Sequence, residues 1–178
     1  MTRKKSFRPF VAGSVRGLEI LTPQEERWLF EEISEEHLRF PISLQSIVVQ
    51  RDYFYDAEPT ADVVSSFYRQ SDGTAMELVS DGGGRCHLII VINVCRKRIR
   101  LREEILRSTM RQCRSYEECF RNRVKHEIGH YRHIGLSDDR IAEILGKMTP
   151  VSEYAKKSIY EAFAEAYSID RIDLETLK

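Results

Sequence analysis

The sequence His-Glu-Ile-Gly-His at residues 126–130 restricts the possible folds of this chain more than any other feature. Residues four apart lie on the same face of a helix, so His126 and His130 can reach one metal ion at about 2.0–2.1 Å. Glu127 is rotated by about 100° around the helix axis, which places its carboxylate beside the water that the metal activates. The spacing therefore predicts a helix that carries two zinc ligands and a general base.

A catalytic zinc site needs a third protein ligand and keeps a fourth position for water. His133 is close in sequence, but its spacing fits poorly, and we expect it to support the site or to lie on the surface. Glu161 is the better candidate, because it lies with Glu165 on one face of a predicted helix rich in alanine. A buried carboxylate is costly unless it is paired or bound to a metal, although a solvated pair of glutamates is the alternative. Gly129 would let this helix approach the histidine helix closely.

Tyr154 lies seven residues before Glu161. If one helix runs from Thr149-Pro150 to about Ile169, this spacing places both residues on one stripe, two turns apart. The Tyr154 hydroxyl can then donate to the oxyanion of a tetrahedral intermediate, although a tyrosine in the core would show the same spacing.

Length and composition are typical of one domain with its own core, and they exclude a disordered tail or a uniformly basic histone-like binder. The 178 residues are 42% hydrophobic and 31% charged, with 28 basic and 28 acidic side chains. No run approaches 18 consecutive apolar residues, and the apolar stretch after the basic N-terminus is too interrupted for a secretory signal. The four cysteines have no Cys-x-x-Cys spacing, so reduced thiols are expected. We expect a cytoplasmic protein with a basic, flexible segment at residues 1–18 and a single domain at residues 19–178.

Turn and capping signals predict an α+β fold in which a small mixed or antiparallel sheet packs on helices. Thr-Pro-Gln-Glu at residues 22–25 is a capping box with proline at the first helical position, and Ser115 and Glu118 form a second such pair. Gly135 can end the helix that contains the two histidines. The predicted strands are Ser43–Asp52, Val63–Gln70, Thr74–Ser80 and Cys86–Val94. The predicted helices are Pro23–Ser34, one through Leu101 to Cys113, one from Ser115 to Gly135, a short one after Ser137 and a last one from Thr149-Pro150 to about Ile169.

Residues 96–125 form a basic run, with 11 lysines and arginines against 4 glutamates. Apolar positions recur between them at helical spacing, which favours a solvated basic face. The arginines expected on that face are Arg98, Arg102, Arg107 and Arg111. The alternative is a patch for an acidic partner, nucleic acid included, but no aromatic interleaving or nucleic-acid motif accompanies the run.

The motif HEIGH followed by EAFAEAY resembles the gluzincin metallopeptidases of the anthrax lethal factor and Pro-Pro endopeptidase group over roughly residues 115–170. The resemblance implies a zincin-like fold with Zn2+ as cofactor and Glu127 as general base. The implied zinc ligands are His126, His130 and Glu161. The family has a tyrosine seven residues before its glutamate ligand, which implies that Tyr154 stabilises the transition state. Glu165 corresponds to a second family glutamate that orients a ligating residue.

We therefore predict a zinc-dependent endopeptidase that binds a protein or peptide substrate in extended conformation. Such a substrate often pairs with an edge strand, and Thr74–Ser80 or Cys86–Val94 can supply that edge. One alternative is an intracellular gluzincin that cleaves a transcriptional repressor. In that group the downstream Glu-Ala is usually followed by asparagine, whereas this chain has Phe163. Another alternative is a partner-binding module with a structural zinc, which would need four ligands where only three are found.

Overall fold

The computed structural model describes residues 13–51, 64–67, 88–94, 114–146, 148–152 and 155–177. Within these residues the chain combines helices with one mixed β-sheet, so the expected α+β class is confirmed. The strands are β1 (Val15–Arg16), β2 (Leu44–Arg51), β3 (Val64–Phe67) and β4 (Leu88–Val94). The helices are α1 (Pro23–Arg39), α2 (Tyr116–His133), α3 (Asp138–Leu145) and α4 (Ile159–Ser168), with 3-10 helices at Leu18–Ile20 and Leu174–Leu177. None of the described helices combines the length and apolar character that a membrane crossing requires.

The strands of the sheet follow the order β1-β2-β4-β3. β2 pairs in parallel with both β1 and β4, whereas β3 pairs antiparallel with β4. β1 lies within residues 1–18, the segment that sequence alone places before the domain. Three of the predicted strands are found as β2, β3 and β4, and the predicted strand Thr74–Ser80 lies outside the described residues.

The strand predicted at Cys86–Val94 does not supply an edge of the sheet. Its described part, β4, lies between β2 and β3, so both sides of its backbone are already paired. The prediction that this strand can pair with a substrate is therefore wrong. Among the described strands, β3 is paired on one side only, and it packs against α2.

The first helix begins where the sequence predicts and continues further. Thr22 Oγ1 accepts a hydrogen bond from the Glu25 amide at 3.2 Å, and the Glu25 carboxylate accepts one from the Thr22 amide at 2.8 Å. The predicted end at Ser34 is wrong, because α1 runs on to Arg39. The Ser34 hydroxyl donates to the Phe30 carbonyl within the helix. This bond satisfies the serine hydroxyl, which would otherwise compete for the hydrogen bonds of the helix backbone.

The helix that carries the two histidines also has the predicted ends. Ser115 caps its first turn by accepting from the Glu118 amide at 3.1 Å, and Gly135 follows its end in a left-handed conformation with φ +85°. Ser137 caps α3 as expected. The helix predicted through Leu101 to Cys113, with the arginines of its solvated face, lies outside the described residues.

The last helix begins later than predicted. Thr149-Pro150 does not start it; α4 begins at Ile159, because Ser158 caps it by accepting from the Glu161 amide at 3.1 Å. The described residues from 155 to 158 form a turn and an extended cap. The interval from residue 154 to Glu161 therefore does not correspond to two turns of one helix, and Tyr154 itself lies outside the described residues.

α2 lies at the centre of the described structure, where it packs against α1, α4, β3 and β4. Its apolar face belongs to a single core that also takes side chains from α1, α4 and the sheet. The fully buried side chains of this core include Leu29, Ile33, Ile47, Ile90, Phe120, Ile128 and Phe163. Residues 124–129, which include most of the histidine motif, are all buried as a consequence.

Candidate metal centre

The two histidines of the motif meet on one face of α2. The Nε2 atoms of His126 and His130 lie 3.1 Å apart, and the two imidazole rings are nearly perpendicular, at 86°. This arrangement follows from the four-residue spacing, because one helical turn brings the second ring above the first. His126 is buried and His130 is half-buried, so both rings face the junction of α2 with α4 rather than bulk solvent.

Glu161 reaches the same point from the first turn of α4. Its Oε2 atom lies 3.3 Å from His126 Nε2 and 3.5 Å from His130 Nε2. The predicted convergence of His126, His130 and Glu161 is thus present, and their donor atoms all lie within 4.8 Å of one another.

The three donor atoms have the separations that a tetrahedral zinc site requires. Ligands at about 2.0–2.1 Å from zinc in tetrahedral geometry lie about 3.3–3.4 Å from one another. The observed separations are 3.1, 3.3 and 3.5 Å. Glu161 Oε2 is buried, and within the described part of the chain no donor meets it with hydrogen-bonding geometry. A buried carboxylate oxygen of this kind is costly unless a cation compensates it, so the residues present fit a metal ion.

Close packing of α4 on α2 allows Glu161 to reach the histidines. A Cβ atom at Gly129 would lie 3.0 Å from the Ala164 Cα and 3.2 Å from the Tyr167 Cβ. Glycine and alanine therefore form the contact between the two helices. A larger side chain at position 129 would press on the backbone of α4 next to the helix turn that carries Glu161. The sequence-based expectation for Gly129 is confirmed.

The electrostatic environment prepares these side chains for a cation. Burial lowers the pKa of His126 to about 4, although the contact with Glu161 partly offsets this effect. Burial raises the pKa of Glu161, but the contacts with His126 and His130 outweigh it and hold the pKa well below its usual range. A neutral imidazole and an ionised carboxylate are the protonation states in which these groups bind metals.

Glu127 is enclosed in the protein on α2. Only 4% of the residue is exposed. Burial raises its pKa well above the usual range, with Arg123 acting to lower it and Glu161 acting to raise it. A carboxylate in such surroundings accepts a proton more readily near neutral pH than an exposed one, which suits a general base.

His133 and Glu165 contact the outer nitrogen atoms of the two histidines. His133 Nε2 lies 3.1 Å from His130 Nδ1, on the opposite side of that ring from Glu161. Glu165 Oε1 lies 3.9 Å from His126 Nδ1. His133 is therefore not grouped with the three donor atoms but supports one of them, as expected. Glu165 lies where a carboxylate can orient His126.

Two features of the site were not foreseen from the sequence. Burial raises the pKa of Glu127 and of Glu165, and the positive charge of Arg123 partly offsets this rise at both carboxyl groups. Its spacing of four residues before Glu127 on one helix is a signal that could have revealed it. The other feature is a buried contact between Arg132 and Tyr167, at 3.2 Å, which links α2 to α4 without any local sequence pattern.

Comparison with protein-family models, with curated proteins and with solved structures finds no match to this chain.

Proposed function

We infer that this protein is a zinc-dependent endopeptidase with a gluzincin type of active site and a zincin-like fold. The observation that carries the proposal is the triangle of donor atoms from His126, His130 and Glu161, with separations of 3.1–3.5 Å. Glu127 supplies a buried carboxylate on the same helix. Bound zinc would act as a Lewis acid that polarises a peptide carbonyl and makes water acidic enough to react near neutral pH.

The residues of the chain have separate tasks in this reaction. Glu127 accepts a proton as the oxygen of water forms a bond to the carbonyl carbon of the substrate. It then gives that proton to the amide nitrogen as the carbon–nitrogen bond breaks, and the second proton of the water passes to the released amine, so the products are a carboxylate and a protonated amine. His126, His130 and Glu161 would hold the metal. Tyr154 stays a prediction from the family resemblance as a hydrogen-bond donor to the oxyanion.

We propose that an extended substrate pairs with an edge of the sheet. β3 is paired on one side only among the described strands, and it packs against the histidine helix α2. A peptide that adds to such an edge forms main-chain hydrogen bonds with it. We propose β3 or the strand Thr74–Ser80 as the edge that binds the substrate.

The alternative of a structural zinc site fits this arrangement less well. Structural sites have four protein ligands, whereas the group of potential ligands found in the described residues has three members.

The basic run also gives little support to a nucleic-acid-binding role. Two of its described members are paired within the protein, Arg121 with Glu31 at 2.5 Å and Lys125 with Asp170 at 2.6 Å, and residues 96–113 of the run lie outside the described residues.

The proposal is tested by measuring zinc content and peptide cleavage on the same purified protein. We expect about one zinc per chain and cleavage of a subset of a peptide library. A strong chelator should remove both, and added zinc should restore both. Cleavage that survives complete removal of the metal would refute the proposed mechanism, and a protein that binds no zinc would refute the site.

A further inference from the structure

A buried polar cluster connects α1, α2 and α4 on the far side of the helix contact from the metal donors. Its members are Glu36 of α1, Arg132 of α2 and Tyr167 of α4, which are 1%, 6% and 3% exposed. Buried charged and hydroxyl groups destabilise a fold unless their hydrogen bonds are satisfied, so the contacts of this cluster decide what it does.

Each member of the cluster bonds to the other helices. The Tyr167 hydroxyl donates to the Glu36 carboxylate and accepts from Arg132 Nε at 3.2 Å. Arg132 also donates to three carbonyl groups at the end of α1. These are the carbonyls of Glu36 at 3.1 Å, of Pro41 at 3.3 Å and of Phe40. The hydroxyl of Tyr167 is therefore held from two directions, by one group from α1 and one from α2.

The position of Tyr167 on α4 gives this attachment a consequence for Glu161. α4 touches α2 most closely where Ala164 faces Gly129. Glu161 lies three residues before Ala164 and Tyr167 three residues after it, which is about 4.5 Å along the helix axis in each direction. A rotation of α4 about this contact therefore moves Glu161 and Tyr167 by similar distances in opposite directions. Holding the Tyr167 hydroxyl therefore limits the rotation of α4 that would move the Glu161 carboxylate away from the histidines.

We propose that Glu36, Arg132 and Tyr167 form a positioning brace that holds the third metal ligand, Glu161, in register with the two histidines. This inference rests on the proposed metal site. The three residues touch neither the metal donors nor the reacting groups, so they are positioning residues. Ligand constellations need to be held within about 0.5 Å, a tolerance that a free rotation of α4 would exceed.

The test compares Tyr167→Phe with Tyr131→Phe. The Tyr131 hydroxyl accepts a hydrogen bond from the Ser43 amide at 3.2 Å. Its loss removes one tyrosine hydrogen bond between α2 and the region before β2, while the ring beside Arg132 and the hydrogen bonds of the brace are kept. Both variants should lose some thermal stability. Zinc affinity, measured by competition with a chelator, should fall about 10–100-fold for Tyr167→Phe and stay within about threefold of the parent for Tyr131→Phe.

The visible absorption spectrum of the Co2+-substituted protein provides a second readout, because it reports coordination geometry rather than stability. It should change in Tyr167→Phe and not in Tyr131→Phe. Arg132→Lys keeps the charge but loses the Nε donor, so it should weaken zinc binding as Tyr167→Phe does. If Tyr167→Phe does not fold, the zinc affinity of Arg132→Lys tests the brace instead.

The outcomes separate the two proposals. A parent protein that binds zinc and cleaves peptides, with unchanged zinc affinity and Co2+ spectrum in both Tyr167→Phe and Arg132→Lys, would overturn the brace and leave the proposed function standing. A parent protein that binds no metal would overturn both. Equal losses of zinc affinity in Tyr167→Phe and Tyr131→Phe would show a general effect of stability and would also overturn the brace.

Discussion

Gly129 of α2 and Ala164 of α4 lie so close that a Cβ atom at position 129 would be 3.0 Å from the Ala164 Cα. This contact joins the helix that carries His126 and His130 to the helix that carries Glu161. The small residues of both motifs thus have a physical role, because they set the helix separation at which a short carboxylate side chain can approach two imidazoles.

Replacing Gly129 with alanine tests this relationship. The methyl group would improve the helix propensity of α2 by roughly 0.5–1 kcal/mol but would meet the backbone of α4. We expect zinc affinity to fall at least about tenfold even if the free energy of unfolding changes little. Isothermal titration of the metal-free protein with zinc, together with denaturant unfolding, measures both quantities.

Gly135→Ala is the matched control for that variant. Gly135 has φ +85°, and no atom of the described residues lies within 4 Å of its Cβ position, so alanine there costs backbone strain without a clash with these residues. Stability should fall and zinc affinity should not. If Gly129→Ala binds zinc as tightly as the parent protein, the separation of α2 and α4 does not control the site.

Glu161 and Glu165 allow a direct test of which carboxylate binds the metal. Glu161 Oε2 lies 3.3 Å from His126 Nε2, whereas Glu165 Oε1 lies 3.9 Å from the opposite nitrogen of the same ring. Glu161→Ala should lower zinc affinity by more than 100-fold and abolish the rise in melting temperature that zinc produces. Glu165→Ala should lower the zinc affinity by about 10–100-fold at most, as is typical of residues that orient a ligand. The reverse order of the two losses would show that Glu165 is the ligand.

The ends of the helices show what could be read from local sequence. Thr22 and Glu25 form the complete capping box that their spacing predicts. Ser158 and Glu161 have the same spacing, but only the serine caps the helix, because the Glu161 carboxylate is turned toward His126 and His130. The sequence predicts the start of α4 at Thr149-Pro150, because a plausible cap stands there too, and capping signals alone do not decide between the two positions.

The buried polar cluster shows what local sequence does not contain. In the sequence, neither Glu36 nor Arg132 stands out from the other charged residues of its helix. The two residues lie 96 positions apart in the chain. Their contact with Tyr167 depends on how α1, α2 and α4 pack, which no local pattern encodes. The metal donors were more accessible to prediction, because His126 and His130 are constrained by a single helical turn.

Glu32 should make stability depend on pH independently of the metal site. It is 5% exposed, and burial raises its pKa from 4.5 to about 7, with Lys125 acting to lower it and Glu36 acting to raise it. The unfolded chain loses this proton near pH 4.5, whereas the folded protein keeps it until about pH 7. The contribution of Glu32 to the free energy of unfolding is therefore present below pH 4.5 and lost as the pH rises through 7.

Glu32→Gln should remove the loss of stability that Glu32 causes in the parent protein as the pH rises through 7. Relative to the parent protein, the free energy of unfolding of the variant should rise by roughly 1–3 kcal/mol between pH 4.5 and pH 8. Denaturant unfolding of the metal-free proteins across this range measures the difference. Glu143→Gln, which removes an exposed carboxylate from α3, is the control. Parallel pH profiles for the parent protein and Glu32→Gln would contradict the prediction.

Peptide cleavage by Glu127→Gln tests the proposed peptidase function most directly. Glutamine keeps the size of the side chain and cannot take a proton, while His126, His130 and Glu161 stay in place. We predict about one zinc per chain, a melting temperature close to that of the parent protein, and a loss of cleavage of about 10²–10⁴-fold. Glu143→Gln, at an exposed position on α3, should retain both zinc and activity. If Glu127→Gln with full zinc content cleaves the same peptide as fast as the parent protein, Glu127 is not the general base and the proposed endopeptidase mechanism is wrong.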